Sequence, residues 1–314
     1  MELKRLHTRI AESSLLLPSA SAVYLLVWLF AGIREYWWLN LALTAATVYI
    51  IVELSNANAL IRVRSRMVSS TFLVLSSLCL PLHYSLRNTF VMLCLTLSFF
   101  LLFSSYQDKR AVRLHYYASF LIGIASLCHT EILLFMPLFW ILALTNIQSL
   151  TFRTWIASIL GILTPYWLLI PWLFINQEPG LVATHFSKLF PKEQVFDTTM
   201  IKVNQWITLS LVMVLGIIAA INFWRFNYED RIRTRQLYGF FAWTVIYSIF
   251  LIFLQPQLFD PLIRIITLSM STFIAHYFSL SRTRMTQIVF YAGSVAIVIA
   301  IIYNLVTWSG LSTF

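Results

Sequence analysis

Apolar runs of 15 to 22 residues recur along this 314-residue chain, separated by polar breaks too short to form a domain. They cover 15–32, 39–54, 67–83, 88–105, 114–128, 132–146, 154–175, 206–223, 237–254, 259–278 and 286–307. A helix crosses a bilayer with about 20 apolar residues and seldom with fewer than about 17. Soluble domains carry about 25% charged residues; here the figure is 11%, with 60% hydrophobic. One water-facing core cannot bury that much apolar surface. The pattern predicts an all-α, polytopic integral membrane protein of about eleven spans, forming one domain over 1–314. The opening "MELKRLHTRIAESS" is too polar for the apolar region of a secretory leader, and no small-residue cleavage site follows. The first run is therefore expected to be a retained span.

Lysine and arginine set the orientation. With the N-terminus in the cytoplasm and eleven spans threaded, sixteen of the 22 basic residues fall on cytoplasmic segments. Six fall outside: Arg34, Arg87, Lys188, Lys192, Lys202 and Arg264. Removing one span would scramble the sorting beyond it, so the asymmetry supports the count and predicts an outside C-terminus. The net charge of +10 then has a topological cause. "ALIRVRSRM" and "EDRIRTRQ" are expected to set topology and touch anionic head groups. No nucleic-acid-binding module accompanies the charge, so nucleic acid is not an expected partner.

Cys79, Cys94 and Cys128 lie in apolar runs without ligand spacing, which argues against disulfides and metal. HExxH, CxxC, GxSxG and phosphate-loop patterns are missing. No cofactor is expected, and metal, serine-hydrolase and nucleotide chemistry lack support.

The polar residues on the outer side carry the functional interest, because charge in or near the apolar slab is costly. "SLCHTEILLFMP" sets His129 and Glu131 between two 15-residue runs. Each run reaches about 22 Å as a helix, against a hydrocarbon core of about 30 Å. The turn is thus expected to be recessed, lining an outward cavity or held as a buried polar turn. In "GIREYWWLN", Arg34 and Glu35 adjoin three aromatic residues. They form either an interfacial belt with an ion pair or a carboxylate base beside an aromatic platform. In "LFDPLIRIITL", Asp260 is placed to cap a helix starting at Pro261, with Arg264 one turn on, on the same face. Arg264 either snorkels and pairs with that cap or holds a lipid phosphate in its planar fork. The segment 176–205 is the one long outer loop. Its "THFSKLF" suggests a short helix lying on the outer leaflet.

Two stretches resemble multi-span glycosyltransferases that use polyprenol-phosphate sugars. "YYASFLIGIASLCHTEILLFMPLFWILAL" is similar to their glycine-rich helix leading to a polar turn, and "DPLIRIITLSMSTFIAHYF" to their late arginine-bearing span. The likeness covers 114–175 and 255–280, and resembles an uncharacterised family of bacterial polytopic proteins with that superfamily behind it. It implies a bacterial inner-membrane protein acting on the outer face. Membrane lipids and a polyprenyl-phosphate sugar donor would be its partners. Arg264 matches the family's arginine. Those enzymes carry a large first outer loop with one or two catalytic acids; this chain has "GIREYWW", and Glu35 corresponds by position only. The resemblance implies Arg264 as a phosphate ligand, beside which Arg87 is a second candidate; either Glu35 is the general base, or catalysis has been lost, or the likeness is architectural. His129 and Glu131 would shape a sugar pocket. Two other classes stand beside this one: a non-catalytic membrane subunit of an envelope assembly or secretion complex, with membrane-protein partners, and a transporter or lipid flippase.

Overall fold

The computed structural model describes residues 11, 13–31, 36–63, 65–79, 85–175, 180–187, 189, 196, 199, 201–281 and 283–311. Twelve α-helices occur there: α1 Leu16–Ala31, α2 Trp37–Asn58, α3 Met67–Ser76, α4 Leu86–Ser104, α5 Val112–Cys128, α6 Phe135–Thr145, α7 Phe152–Ile175, α8 Gly180–Ser187, α9 Val203–Phe226, α10 Ile232–Leu254, α11 Phe259–Leu280 and α12 Arg284–Leu311. No strand occurs among the described residues. Each of the eleven apolar runs contains a helix, and a further short one, α8, overlaps the first residues of "THFSKLF". Six helices are long and apolar enough to cross a membrane: α2, α4, α9 with its extension to Glu229, α10, α11 from Pro256, and α12 to Thr307. The apolar helices at Leu16–Phe30, Met67–Ser76, Val112–Cys128 and Thr130–Thr145 are shorter.

Two helix ends depart from the apolar runs. The run 67–83 predicts one helix, yet α3 stops at Ser76. Ser77 closes the end, its N–H bonding the Leu73 carbonyl and its hydroxyl donating to the Val74 carbonyl at 2.5 Å. The run 132–146 begins as a 3-10 turn, Thr130–Leu134, before α6 takes over. Pro137 lacks the N–H that would bond the Leu133 carbonyl, and it sits in the first turn of α6, where proline is tolerated.

Burial runs opposite to that of a soluble bundle. α11 is the least apolar of the six long helices and 89% buried, whereas α12, among the most apolar, is 22% buried. Trp167, Leu168, Phe250 and Ile299 stand exposed. Apolar side chains facing outward and polar ones facing inward are what a lipid solvent requires. α11 packs against α3, α9 and α10 and also touches α4 and α12.

Aromatic and small residues bring the helices together. Phe99 and Phe103 of α4 meet Phe240 of α10 edge to face, at 5.2 and 5.0 Å between centroids. Such pairs contribute about 0.5–1.5 kcal/mol each beyond area burial. α5 and α7 approach closely through Gly123 and Gly161. A Cβ at Gly123 would lie 2.9 Å from the Ile162 carbonyl oxygen, and one at Gly161 would collide with the Tyr116 carbonyl oxygen. Small residues permit such approach where lipid supplies no drive to press helices together.

Polar bonds gather at the two ends of the bundle. At one end Arg62 reaches Glu229 and Asp230, Arg233 reaches Asn58 and the Phe103 carbonyl, and Asn146 donates to the Gln236 carbonyl. At the other, Thr130 meets His185, Gln255 donates to the Leu189 carbonyl, and Asn304 donates to the Leu78 carbonyl.

Candidate functional site

The second of these ends carries the described residues singled out by sequence. α4 starts there on Ser85, whose hydroxyl accepts the Asn88 N–H at 3.2 Å. This cap sets Asn88 and Thr89 on the first turn. The Asn88 Oδ1 lies 2.6 Å from His129 Nε2. An amide oxygen only accepts, so Nε2 carries the proton. Next along the chain, Thr89 Oγ1 accepts a hydrogen bond from Arg264 Nη1 at 2.8 Å. Two consecutive residues of α4 thus join the polar turn after α5 to the arginine of α11.

α8 covers that turn. The Thr130 hydroxyl donates to the His185 carbonyl at 3.1 Å and so accepts from His185 Nε2 at 3.0 Å. The rings of His185 and Phe186 pack against Tyr166 of α7, whose hydroxyl lies 2.6 Å from Ser126 Oγ.

Arg264 lines a cavity of about 30 Å³ bounded by α1 to α4 and α11. Tyr24, Thr44, Thr47, Ser76, Thr89 and Thr267 supply six hydroxyls to its wall. Thr44, Thr47 and Thr267 donate to carbonyls of their own helices, at 2.9, 2.8 and 2.7 Å. Their lone pairs are therefore left to accept, which suits a guanidinium. The volume holds about two waters and falls far short of the roughly 300–1,000 Å³ of ordinary ligand sites. A sugar cannot enter it.

Asp260 corrects two expectations. Helix α11 begins at Phe259 after Leu258, with no side-chain cap, so Asp260 lies inside the first turn instead of capping it. Nor does it pair with Arg264. Its Oδ1 accepts from Gln205 Nε2 at 3.1 Å, and no ion pair with a described lysine or arginine forms. Spacing of four along a helix allowed the pair, but the arginine extends toward α4 and the carboxylate toward α9.

The other sequence-derived residues divide as follows. Arg87 is exposed on the first turn of α4. Glu131 is half-buried at the start of the 3-10 turn and makes no hydrogen bond or ion pair among the described residues. Neither His129 nor Glu131 lines the chamber around Arg264. Arg34 and Glu35 lie outside the described residues, as do Lys188 and Lys192. No group of three or more His, Cys, Asp or Glu able to hold a metal occurs among the described residues.

Sequence reasoning missed a buried charged cluster at the opposite end. Asp230, with a side chain 2% exposed, accepts from Arg62 Nε at 2.8 Å and His276 Nε2 at 3.0 Å. Burial alone would raise the Asp230 carboxyl. The hydrogen bonds and positive charge of His276 and Arg62 outweigh it and hold the group below its ordinary value. The available signal was an acid inside a basic loop together with His276 near the same end of its helix.

Set against protein-family models, curated proteins and solved structures, the chain matches none of them.

Proposed function

We propose that this chain is an eleven-span membrane protein, N-terminus inside and C-terminus outside, that binds a polyprenyl-phosphate sugar at its outer face and transfers the sugar. The span count is supported by the polar bonds at the bundle ends, each of which joins segments that the basic-residue count assigns to one side. The functional reading is carried by Arg264, a basic residue on the most buried long helix, braced by the same turn of α4 that holds His129.

In this reading the phosphate approaches the guanidinium from the outer mouth, since the chamber itself admits only waters. Arg87 adds a second positive group. An acceptor hydroxyl attacks the sugar carbon and gives its proton to Glu35, while the lipid phosphate leaves with the bonding pair. A placed carboxylate base contributes about 10²–10⁴-fold, and fixed positive groups stabilise the leaving phosphate. Arg34, His129, Glu131 and Asp260 border the head group and set which sugar fits. No metal takes part in this scheme.

The test is sugar transfer from a radiolabelled polyprenyl-phosphate donor by the full-length protein in nanodiscs. Arg264→Ala should weaken donor binding by about 1.5–3 kcal/mol, the worth of a charge-assisted hydrogen bond. Glu35→Gln should abolish transfer and leave donor binding intact. A wild-type protein that binds no polyprenyl phosphate sinks the proposal. That outcome favours a membrane subunit, a reading supported by the apolar groove of about 520 Å³ between α6 and α10, where Trp243, Ile246 and Phe250 are exposed.

A further inference from the structure

A cleft of about 210 Å³ opens between α1, α3, α11 and α12. Three of its walls are stripes of equal length: Leu16 to Val23 on α1, Met67 to Val74 on α3 and Phe290 to Ile297 on α12. Each stripe rises about 10 Å along its helix. Leu16 and Met67 open their helices, and the Ser65 hydroxyl donates to the Ala11 carbonyl, so α1 and α3 start side by side. Phe278, near the end of α11, meets Phe290 edge to face at 5.1 Å between centroids. The mouth of the cleft therefore lies at the end of the bundle that carries Arg62, Asp230 and His276. In the eleven-span arrangement that end is cytoplasmic.

Volume over length leaves a cross-section on the order of 20 Å², far below that of a helix about 10 Å across. A helix of a partner cannot enter such a slot; one extended hydrocarbon chain can. The wall chemistry agrees. Its four hydroxyls, on Ser19, Ser70, Thr71 and Ser294, all donate to carbonyls one turn back, those of Leu16, Arg66, Met67 and Phe290. None has a proton left for a polar guest, so the slot is apolar in effect. Its mouth is cationic. Arg66 immediately precedes Met67, and Arg284 is the first residue of α12. Both are exposed, and neither guanidinium forms an ion pair with a described acid. No acid lines the cleft. A lipid phosphate supplies the missing negative charge. In a zwitterionic head group the cationic end would meet the second arginine and be repelled, whereas an anionic head group carries no such cation. Basic pockets between helices on the cytoplasmic side suit anionic head groups. We infer that this cleft binds one anionic phospholipid of the cytoplasmic leaflet, with an acyl chain between α1, α3 and α12 and its phosphate held by Arg66 and Arg284. The second chain lies along the open side, where Val23 is exposed. The site does not depend on sugar transfer, and its test uses no donor lipid.

Full-length protein in phosphatidylcholine nanodiscs is titrated with spin-labelled phosphatidylglycerol, and the immobilised fraction is read by electron paramagnetic resonance. Wild type should hold the label at one saturable site, displaced by unlabelled phosphatidylglycerol and not by added phosphatidylcholine. Arg66→Gln and Arg284→Gln should each weaken binding about fivefold, the worth of one basic residue near an anionic lipid. Ser294→Trp should abolish it by filling the slot. Arg231→Gln removes an exposed arginine that does not line the cleft and should change nothing. All four positions are exposed, and the wild-type titration decides without any variant. Equal retention of phosphatidylglycerol and phosphatidylcholine by wild type overturns the proposal. So does a loss in Arg231→Gln equal to that in Arg66→Gln, which would mean general attraction to the basic face. Binding retained in Ser294→Trp overturns the chain slot. A dimer that Ser294→Trp dissolves, without lipid preference, would assign the cleft to a second copy and also overturn it.

Discussion

Asp230 concentrates more interaction than any other described acid, because it is the one such carboxylate both buried and bonded by an arginine and a histidine. Its neighbour Glu229 also meets Arg62, at 2.9 Å, but with a side chain 45% exposed. Burial separates their expected worth. Removing one partner of a buried pair costs about 3–5 kcal/mol; an exposed pair contributes about 0–1 kcal/mol. Asp230→Asn should therefore lower unfolding stability several-fold more than Glu229→Gln in a detergent titration. The sign of the pH effect follows from the lowered carboxyl. Its stabilisation is fully present above the unfolded aspartate value of about 3.9 and fades as pH falls through the folded value. An acid titration should show wild type losing an increment that Asp230→Asn never had. Equal acid sensitivity in the two proteins would remove Asp230 from the account.

At the scale of helices, Gly161 offers the sharpest test. A Cβ there meets backbone of α5, the Tyr116 carbonyl oxygen and the Phe120 nitrogen, so no side-chain rotation relieves it. Gly161→Ala should destabilise by about 1–3 kcal/mol, the usual range for overpacking. Gly293→Ala should be milder, since the atom met there, at 3.0 Å, is the end of the Leu215 side chain. Comparable thermal midpoints for the two variants would refute the close approach of α5 and α7. The helices themselves were legible in sequence, because apolar length and polar breaks carry the signal. Helix partners were not. Nothing in "HYSLRNTF" marks Asn88 for His129 and Thr89 for Arg264, since both bonds join residues more than 40 positions apart. The Asp260–Arg264 pairing failed for the same reason: four-residue spacing fixes a shared face but not which neighbouring helix draws each side chain away.

For the whole molecule, topology is the testable property. Reporter fusions at Asp108, Glu193 and Phe314 should read inside, outside and outside. An inside C-terminus would break the eleven-span arrangement. The inverted burial pattern has a further consequence for how the chain enters the membrane. Inserted by itself, α11 would expose Asp260 and Arg264 to lipid, and a charged residue at a helix centre costs about 2.5–3.5 kcal/mol on insertion scales. Near the interface the cost is smaller, yet the helix also brings His276 and a row of hydroxyls. Four of the helices it meets, α3, α4, α9 and α10, precede it in the chain, and α12 follows it. During synthesis those four are already made when α11 emerges, so the helix least able to enter lipid unaided is delivered to a bundle that can receive it. A chain that stops after α10 would leave a polar-walled slot open to the bilayer, and cellular quality control would see an unfinished protein.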